Sequence, residues 1–102
     1  MRSSTPEWCK KVAGATPINQ AEPRQVATIA GEVERLRIRP EHGVRAIEAT
    51  LADGSGSITA VWLGRRSIKG LALGRRMVIG GRLAEKDGQR AIMNPTYEFA
   101  DS

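Results

Sequence analysis

Arginine recurs at every second position in one segment of the chain, at Arg35, Arg37 and Arg39. Alternate side chains of a strand point to the same face, so these three would form a row about 13 Å long. Guanidinium groups bind phosphate oxygens through paired hydrogen bonds, and the whole chain carries a formal charge of +5. The spacing therefore predicts a cationic stripe that suits a polyanionic ligand. A row of charges on an outer strand also keeps a sheet soluble, and this alternative stays open.

Nucleophilic and acid–base catalysis find little support in the sequence. Cys9 is the only cysteine and His42 the only histidine, and neither has an evident catalytic partner. A single cysteine and a single histidine also cannot form an intramolecular disulfide or a Cys/His zinc site. Asp53 and Asp87 are explained by turn geometry. We therefore expect a protein that is not an enzyme and that needs no metal or cofactor.

The strands of an all-β domain would have to position the arginines. From residue 25 onward the chain is rich in Val, Ile, Ala and Thr, and turn dipeptides interrupt it at short intervals. Five strands are predicted, at residues 26–39, 44–52, 57–63, 75–85 and 89–94. Residues 1–24 are predicted to be an N-terminal tail. A short helix could form near residues 8–13, but a mobile terminus is the favoured alternative. Residues 25–102 then form one domain.

The first strand needs an irregularity in the middle. In a regular strand Ile29 and Val33 would lie on one face, whereas Leu36 and Ile38 would lie on the other. A bulge or a sharp coil near residues 31–35 would bring both apolar pairs inside. A first strand bent in this way can serve both sheets of a small closed barrel.

Turn and helix signals separate the other strands. Tight turns are predicted at residues 53–56 and at Asp87-Gly88, and Gly80-Gly81 would let the fourth strand bend. Residues 65–73 carry apolar side chains at helical spacing, and Gly74 follows as a C-cap, so one short helix is predicted between strands three and four. Three strands, a helix and two strands are the order of the oligonucleotide/oligosaccharide-binding (OB) fold. The predicted fold is therefore a five-stranded OB-fold barrel.

Several short motifs stand in a characteristic order along the chain. They are Gly31-Glu32-Val33, Asp53-Gly54-Ser55-Gly56, Trp62-Leu63, Leu73-Gly74-Arg75-Arg76 and Asn94-Pro95-Thr96-Tyr97. Over residues 26–99 they resemble the wedge domain of bacterial RecG-type branched-DNA helicases, and the chain looks similar to stand-alone OB-fold nucleic-acid-binding proteins. The resemblance implies binding of single-stranded or branched DNA, DNA rather than RNA, with Trp62 stacking on a base. The chain has no Gly-Lys-Ser/Thr phosphate loop, so helicase activity is not expected.

The OB plan also indicates which cations could contact a ligand, because the ligand crosses strands two and three between two loops. Arg39 and Arg45 border the loop after the first strand, and Lys86 and Arg90 border the loop after the fourth. Cations at both loops would bind backbone phosphates in a salt-sensitive manner. The predicted contact residues combine the stripe, these loop cations, the tryptophan and two arginines of the predicted helix. They are Arg35, Arg37, Arg39, Arg45, Trp62, Arg65, Arg66, Lys86 and Arg90.

Trp62 leaves two alternatives open. It shares strand parity with Ile58 and Ala60, so it lies in the core if those two do. The resemblance instead implies an exposed ring that stacks on a base. Only 4% of the residues are aromatic, so weak binding that depends mainly on phosphate contacts is expected.

The sequence thus predicts a non-catalytic module that binds nucleic acid, and a protein partner in DNA metabolism could act jointly with it. The alternative is a protein-interaction adaptor built on the same barrel, without direct nucleic-acid contact. No secretory signal and no long apolar run occur in the sequence. A cytoplasmic protein without a membrane partner is therefore expected.

Overall fold

Six strands make up most of the computed structural model, which describes residues 5–101. They are β1 (Val26–Glu41), β2 (Val44–Ala52), β3 (Ser57–Leu63), β4 (Arg76–Lys86), β5 (Gln89–Met93) and β6 (Thr96–Phe99). Before β1 lie a short helix, α1 (Glu7–Lys10), and a 3-10 turn (Ile18–Gln20). The all-β class is confirmed, and each of the five predicted strands is present within two residues of its expected bounds. No helix within residues 5–101 is long and apolar enough to cross a membrane.

Five of the strands close into a ring. Their order is β1-β2-β3-β5-β4, and β4 also pairs with β1. The β3–β5 pair is parallel and the other pairs are antiparallel. β1 reaches both of its neighbours because residues 26–32 pair with β4 and residues 32–41 pair with β2. The register shifts between Val33 and Arg35, which confirms the predicted bulge.

Two glycines of the ring lie very close to neighbouring atoms. A Cβ on Gly31 would lie 3.0 Å from the carbonyl oxygen of Ala52, a backbone atom that cannot rotate away. A Cβ on Gly81 would lie 2.8 Å from Ile92 Cγ2, at a φ of +156°. The contact at Gly81 is closer than real Cβ atoms approach, and the contact at Gly31 is tighter than most, so both positions favour glycine, where β1 bends and where β4 turns towards β5.

The core fills the inside of the ring. Alternate residues of each strand point inward, as a sheet with one buried face requires. The largest side chains with almost no exposure include Ile29, Leu51, Ile58, Trp62, Met77, Ile79, Leu83 and Ile92. β6 pairs with β4, and its Tyr97 and Phe99 pack against this core. β6 thereby covers part of the edge of β4.

The helix predicted at residues 65–73 is wrong. This segment forms turns at 69–70 and 73–74, where Gly70 and Gly74 adopt φ values of +87° and +84°. The N–H of Leu71 donates to the carbonyl of Ile68 at 3.1 Å, so the three-residue apolar spacing is satisfied by a single turn. A left-handed glycine in the middle and a length well below that of a stable isolated helix explain why no helix forms.

Leu36 and Ile38 do not lie inside the ring as predicted. The two residues are 36% and 64% exposed. The pairing of β1 with β4 ends at Glu32, so beyond the bulge only β2 flanks β1. The end of the β1–β2 hairpin therefore projects from the ring and leaves both side chains uncovered.

The segment predicted as an N-terminal tail lies against the sheet from residue 5 to residue 24. Ile18 is 0% exposed, and its N–H donates to Asp53 Oδ2 at 2.9 Å. Asp53 also accepts hydrogen bonds from Ser55 of its own turn. A parallel bridge joins Ala15 to Thr28. These contacts join the segment to the sheet, and α1 overlaps the short helix considered near residues 8–13.

Candidate nucleic-acid interface

A cleft with a volume of about 370 Å³ opens between β1, β2, β3 and the β4–β5 hairpin. Its lining includes five cationic side chains, those of Arg35, Arg37, Arg39, Lys86 and Arg90. Only two carboxylates, Glu48 and Asp87, line the same space. The cleft is therefore cationic, and we call it the arginine cleft.

The strand register orders the residues of the arginine cleft into rows. Arg35 lies opposite Thr50, which in turn lies opposite Thr59. In the next row Arg37 lies opposite Glu48. Because directly paired residues of antiparallel strands share a face, the arginines form one wall, while two hydroxyls and one carboxylate form the floor. The predicted stripe therefore exists on one face of β1.

The three arginines of the stripe differ in their partners. Arg39 forms an ion pair with Glu48, with 3.5 Å between Nε and Oε2. Arg35 and Arg37 are exposed, and neither forms an ion pair with another residue of the described chain. Two guanidinium groups on one wall are thus available to an anionic ligand.

An ion pair joins the two hairpins beside the cleft. Lys86 Nζ, near the end of β4, donates to Glu41 at the end of β1. This hydrogen bond, more than any other influence, holds the pKa of the Glu41 carboxyl below its usual value. Each hairpin turns through two residues with positive φ, His42-Gly43 and Asp87-Gly88, as type I′ turns require. The predicted Asp87-Gly88 turn is confirmed, and Lys86 is tied to a carboxylate.

Arg90 lines the cleft and also holds the N-terminal segment. Its Nε donates to the carbonyl of Ala21 at 3.2 Å, and its Nη2 donates to the carbonyl of Asn19 at 3.4 Å. These two backbone contacts fix the guanidinium at the rim, so Arg90 is less free to meet a ligand than Arg35 or Arg37.

Three further predicted contact residues lie outside the arginine cleft. Arg45, Arg65 and Arg66 line a separate groove of about 500 Å³ together with Val44 and Gly64. One Arg45 N–H donates to the carbonyl of Arg66 at 3.3 Å. Arg45 stands one position along β2 from the partner of Arg39, so its side chain points to the other face of the hairpin. The structure therefore divides the predicted cations between two surfaces.

Trp62 is not available for stacking on a base, so this part of the prediction is wrong. Trp62 is 2% exposed, and its Nε1–H donates to the carbonyl of Pro95 at 3.2 Å. Tyr97 meets the indole edge-on, with 5.5 Å between ring centroids. Strand parity, which groups Trp62 with the buried Ile58 and Ala60, gave the correct alternative. All four aromatic residues of the chain lie in the described part, and none of them lines the arginine cleft.

Sequence reasoning missed the floor of the cleft. Thr50 and Thr59 carry no motif, and only the pairing of β2 with its two neighbours shows that they face the arginines. Glu48 also belongs to no motif, yet it is 7% exposed. Parity along β2 places Glu48 and Thr50 on one face, and this is the only sequence signal that could have indicated them.

The cysteine and the histidine lie in different settings. Cys9 is buried, and burial raises the pKa of its thiol, which disfavours the thiolate. His42 is exposed at the tip of the β1–β2 hairpin. Within residues 5–101 no three His, Cys, Asp or Glu side chains are grouped so that they could hold a metal ion.

No family model matches this chain, and no curated protein is similar to it at a significant level.

Proposed function

We propose that this protein is a non-catalytic nucleic-acid-binding module that holds single-stranded or branched DNA through phosphate contacts in the arginine cleft. The observation that carries the proposal is the wall of the cleft, where Arg35 and Arg37 are exposed, lie on one face of β1 and form no ion pair within the described chain. Guanidinium groups in such a row suit the regularly spaced phosphates of a nucleic-acid backbone.

The strand arrangement supports an OB-type barrel. Five strands close into a ring, and a bent β1 pairs with both β2 and β4. In OB barrels the ligand crosses strands two and three between the loops that follow strands one and four. The arginine cleft occupies this place, since its lining comes from β1, β2, β3 and the β4–β5 hairpin. The departure is the segment between β3 and β4, which forms turns instead of a helix.

Binding in this cleft would depend on charge. Since no aromatic side chain lines it, base stacking contributes little, and phosphate contacts supply most of the affinity. Arg39 and Lys86 can add contacts by exchanging their carboxylate partners for phosphate. The expected affinity is weak and falls steeply with salt. By its resemblance to the RecG wedge domain, the chain is expected to prefer DNA to RNA.

A matched pair of double variants tests the proposal. Binding of a labelled oligothymidylate is measured by fluorescence anisotropy at low salt. Arg35→Gln with Arg37→Gln removes two charges from the cleft wall and should weaken binding at least about tenfold. Arg65→Gln with Arg66→Gln removes the same charge from the other groove and should change the affinity by less than about threefold.

Equal losses in the two double variants would show that net charge, and not the cleft, controls binding. If the wild-type protein binds no oligonucleotide at low salt, the proposal fails. The adaptor hypothesis would then remain, with the uncovered Leu36 and Ile38 as the apolar surface for a protein partner. It predicts a specific partner that is retained when Arg35 and Arg37 are replaced. A forked DNA compared with its separate single strand shows whether branched DNA is preferred.

A further inference from the structure

Glu48 places a carboxylate in the floor of the arginine cleft. Its side chain is 9% exposed, and Arg39 Nε lies 3.5 Å from its Oε2. No donor of the described chain completes a hydrogen bond to this oxygen. A buried carboxylate oxygen without a donor is costly. A ligand that brings an N–H or O–H donor to this position would therefore be favoured over one that brings an acceptor.

The register places Glu48 on β2, the strand beside the arginines of β1. It pairs with Arg37 of β1 on one side and with Val61 of β3 on the other. Neighbouring strands lie about 4.8 Å apart. A nucleic-acid strand that contacts the arginines of β1 with its phosphates can extend its bases over β2, the neighbouring strand. Glu48 then meets a base edge, while a phosphate, which is anionic and offers only acceptors, is repelled from it.

We propose that Glu48 accepts a hydrogen bond from the exocyclic amino group of a base, so that the cleft prefers amino-bearing bases to thymine. This inference rests on the proposed function and specifies the ligand of the same site. Cytosine presents an N4 amino donor where thymine presents the O4 acceptor, and Glu and Asp are suited to accept from that amino group. Thymine O4 would set an acceptor against the carboxylate.

Arg39 makes this arrangement compatible with its ion pair to Glu48. Its side chain is 37% exposed, whereas that of Glu48 is 9% exposed. Arg39 can thus turn outward to a phosphate without disturbing the sheet. The exchange gives the guanidinium a new anionic partner and leaves Glu48 Oε2 to the base. One nucleotide would then engage β1 through its phosphate and β2 through its base.

The experiment compares oligodeoxycytidylate with oligodeoxythymidylate, each about 12 nucleotides long, by anisotropy at neutral pH. We expect the wild-type protein to bind the cytosine strand about fivefold or more tightly. In Glu48→Gln the amide can donate to thymine or accept from cytosine, so the ratio should fall towards one. Glu98→Gln removes one exposed carboxylate outside the arginine cleft and should leave the ratio unchanged. The wild-type ratio is informative even if the Glu48 variant fails to fold.

Equal affinity of the wild-type protein for the two strands would overturn the inference. So would a ratio that persists in Glu48→Gln while both affinities rise by the same factor, because Glu48 would then only neutralise arginines. A 2′-hydroxyl can also donate, so oligouridylate and oligodeoxyuridylate form a second arm. A preference for the ribose strand that Glu48→Gln abolishes would assign the donor to the sugar and overturn the base assignment. Binding of no strand at all would instead refute the proposed function.

Discussion

Replacing Trp62 with Phe should lower stability without weakening oligonucleotide binding. The substitution removes the hydrogen bond from Nε1 to the carbonyl of Pro95 and leaves that buried carbonyl without its donor, at a cost of about 1–2 kcal/mol. Trp62 is 2% exposed, so the smaller phenylalanine ring also leaves a void in the core. This void adds about 1 kcal/mol to the loss of stability. A total of about 2–3 kcal/mol corresponds to a fall in Tm of roughly 10–20 °C for a domain of this size.

Thermal and urea unfolding measure the stability change, and anisotropy with oligothymidylate measures binding at a temperature where the variant is folded. Trp8→Phe is the matched control, because Trp8 is half-buried outside the ring, with Arg76 5.4 Å from its ring centroid. It should cost less than about 1 kcal/mol. A Trp62→Phe protein with unchanged Tm but weakened binding would show that the indole meets the ligand, and the assignment of Trp62 to the core would be refuted.

Three further outcomes follow from the described contacts. With about three phosphates bound, affinity should fall about 20-fold between roughly 50 and 200 mM salt, but only about threefold when Arg35→Gln and Arg37→Gln leave one contact; identical salt slopes would contradict this count. Glu41 has a lowered pKa because Lys86 donates to it, so its contribution to stability is present above its usual pKa of 4.5 and is lost as the pH falls through the lowered value. Urea unfolding across the acid range should therefore show a shallower loss of stability in Glu41→Gln than in the wild type, and parallel curves would exclude this pair as a contributor. Asp53→Ala removes the acceptor of the turn and of the N-terminal segment and should cost about 2–4 kcal/mol, with faster proteolysis before residue 25; unchanged cleavage there would show that other contacts hold the segment.

The strands could be predicted from the sequence because their signals are local. Alternation of apolar residues, together with turn residues such as Asp53 and Asp87-Gly88, determines where each strand begins and ends. The turns between β3 and β4 could not be predicted, because the spacing between Ile68 and Leu71 suits a single turn as well as a helix. Only the tertiary structure, with Gly70 in a left-handed conformation, decides between them.

The candidate site was predictable along one strand but not across strands. Parity alone placed Arg35, Arg37 and Arg39 on one face. It could not show that Arg45 points away from them, nor that Glu48 lies beneath them, because both facts depend on which residue of β2 pairs with which residue of β1. The exposure of a side chain also could not be predicted from local sequence. Ile38 is apolar, yet it is exposed because β1 no longer pairs with β4 at that position.

The pairing of β1 with β4 also bears on how the chain folds. Ile29 lies opposite Ile79, so half of the chain separates two residues that must meet before the ring is complete. Loop-closure entropy opposes such distant contacts until the intervening hairpins have formed, and sheets of this topology fold in milliseconds to seconds. The β1–β2 and β4–β5 hairpins can form early from local contacts, whereas the amides between β1 and β4 should gain protection from hydrogen exchange last during refolding.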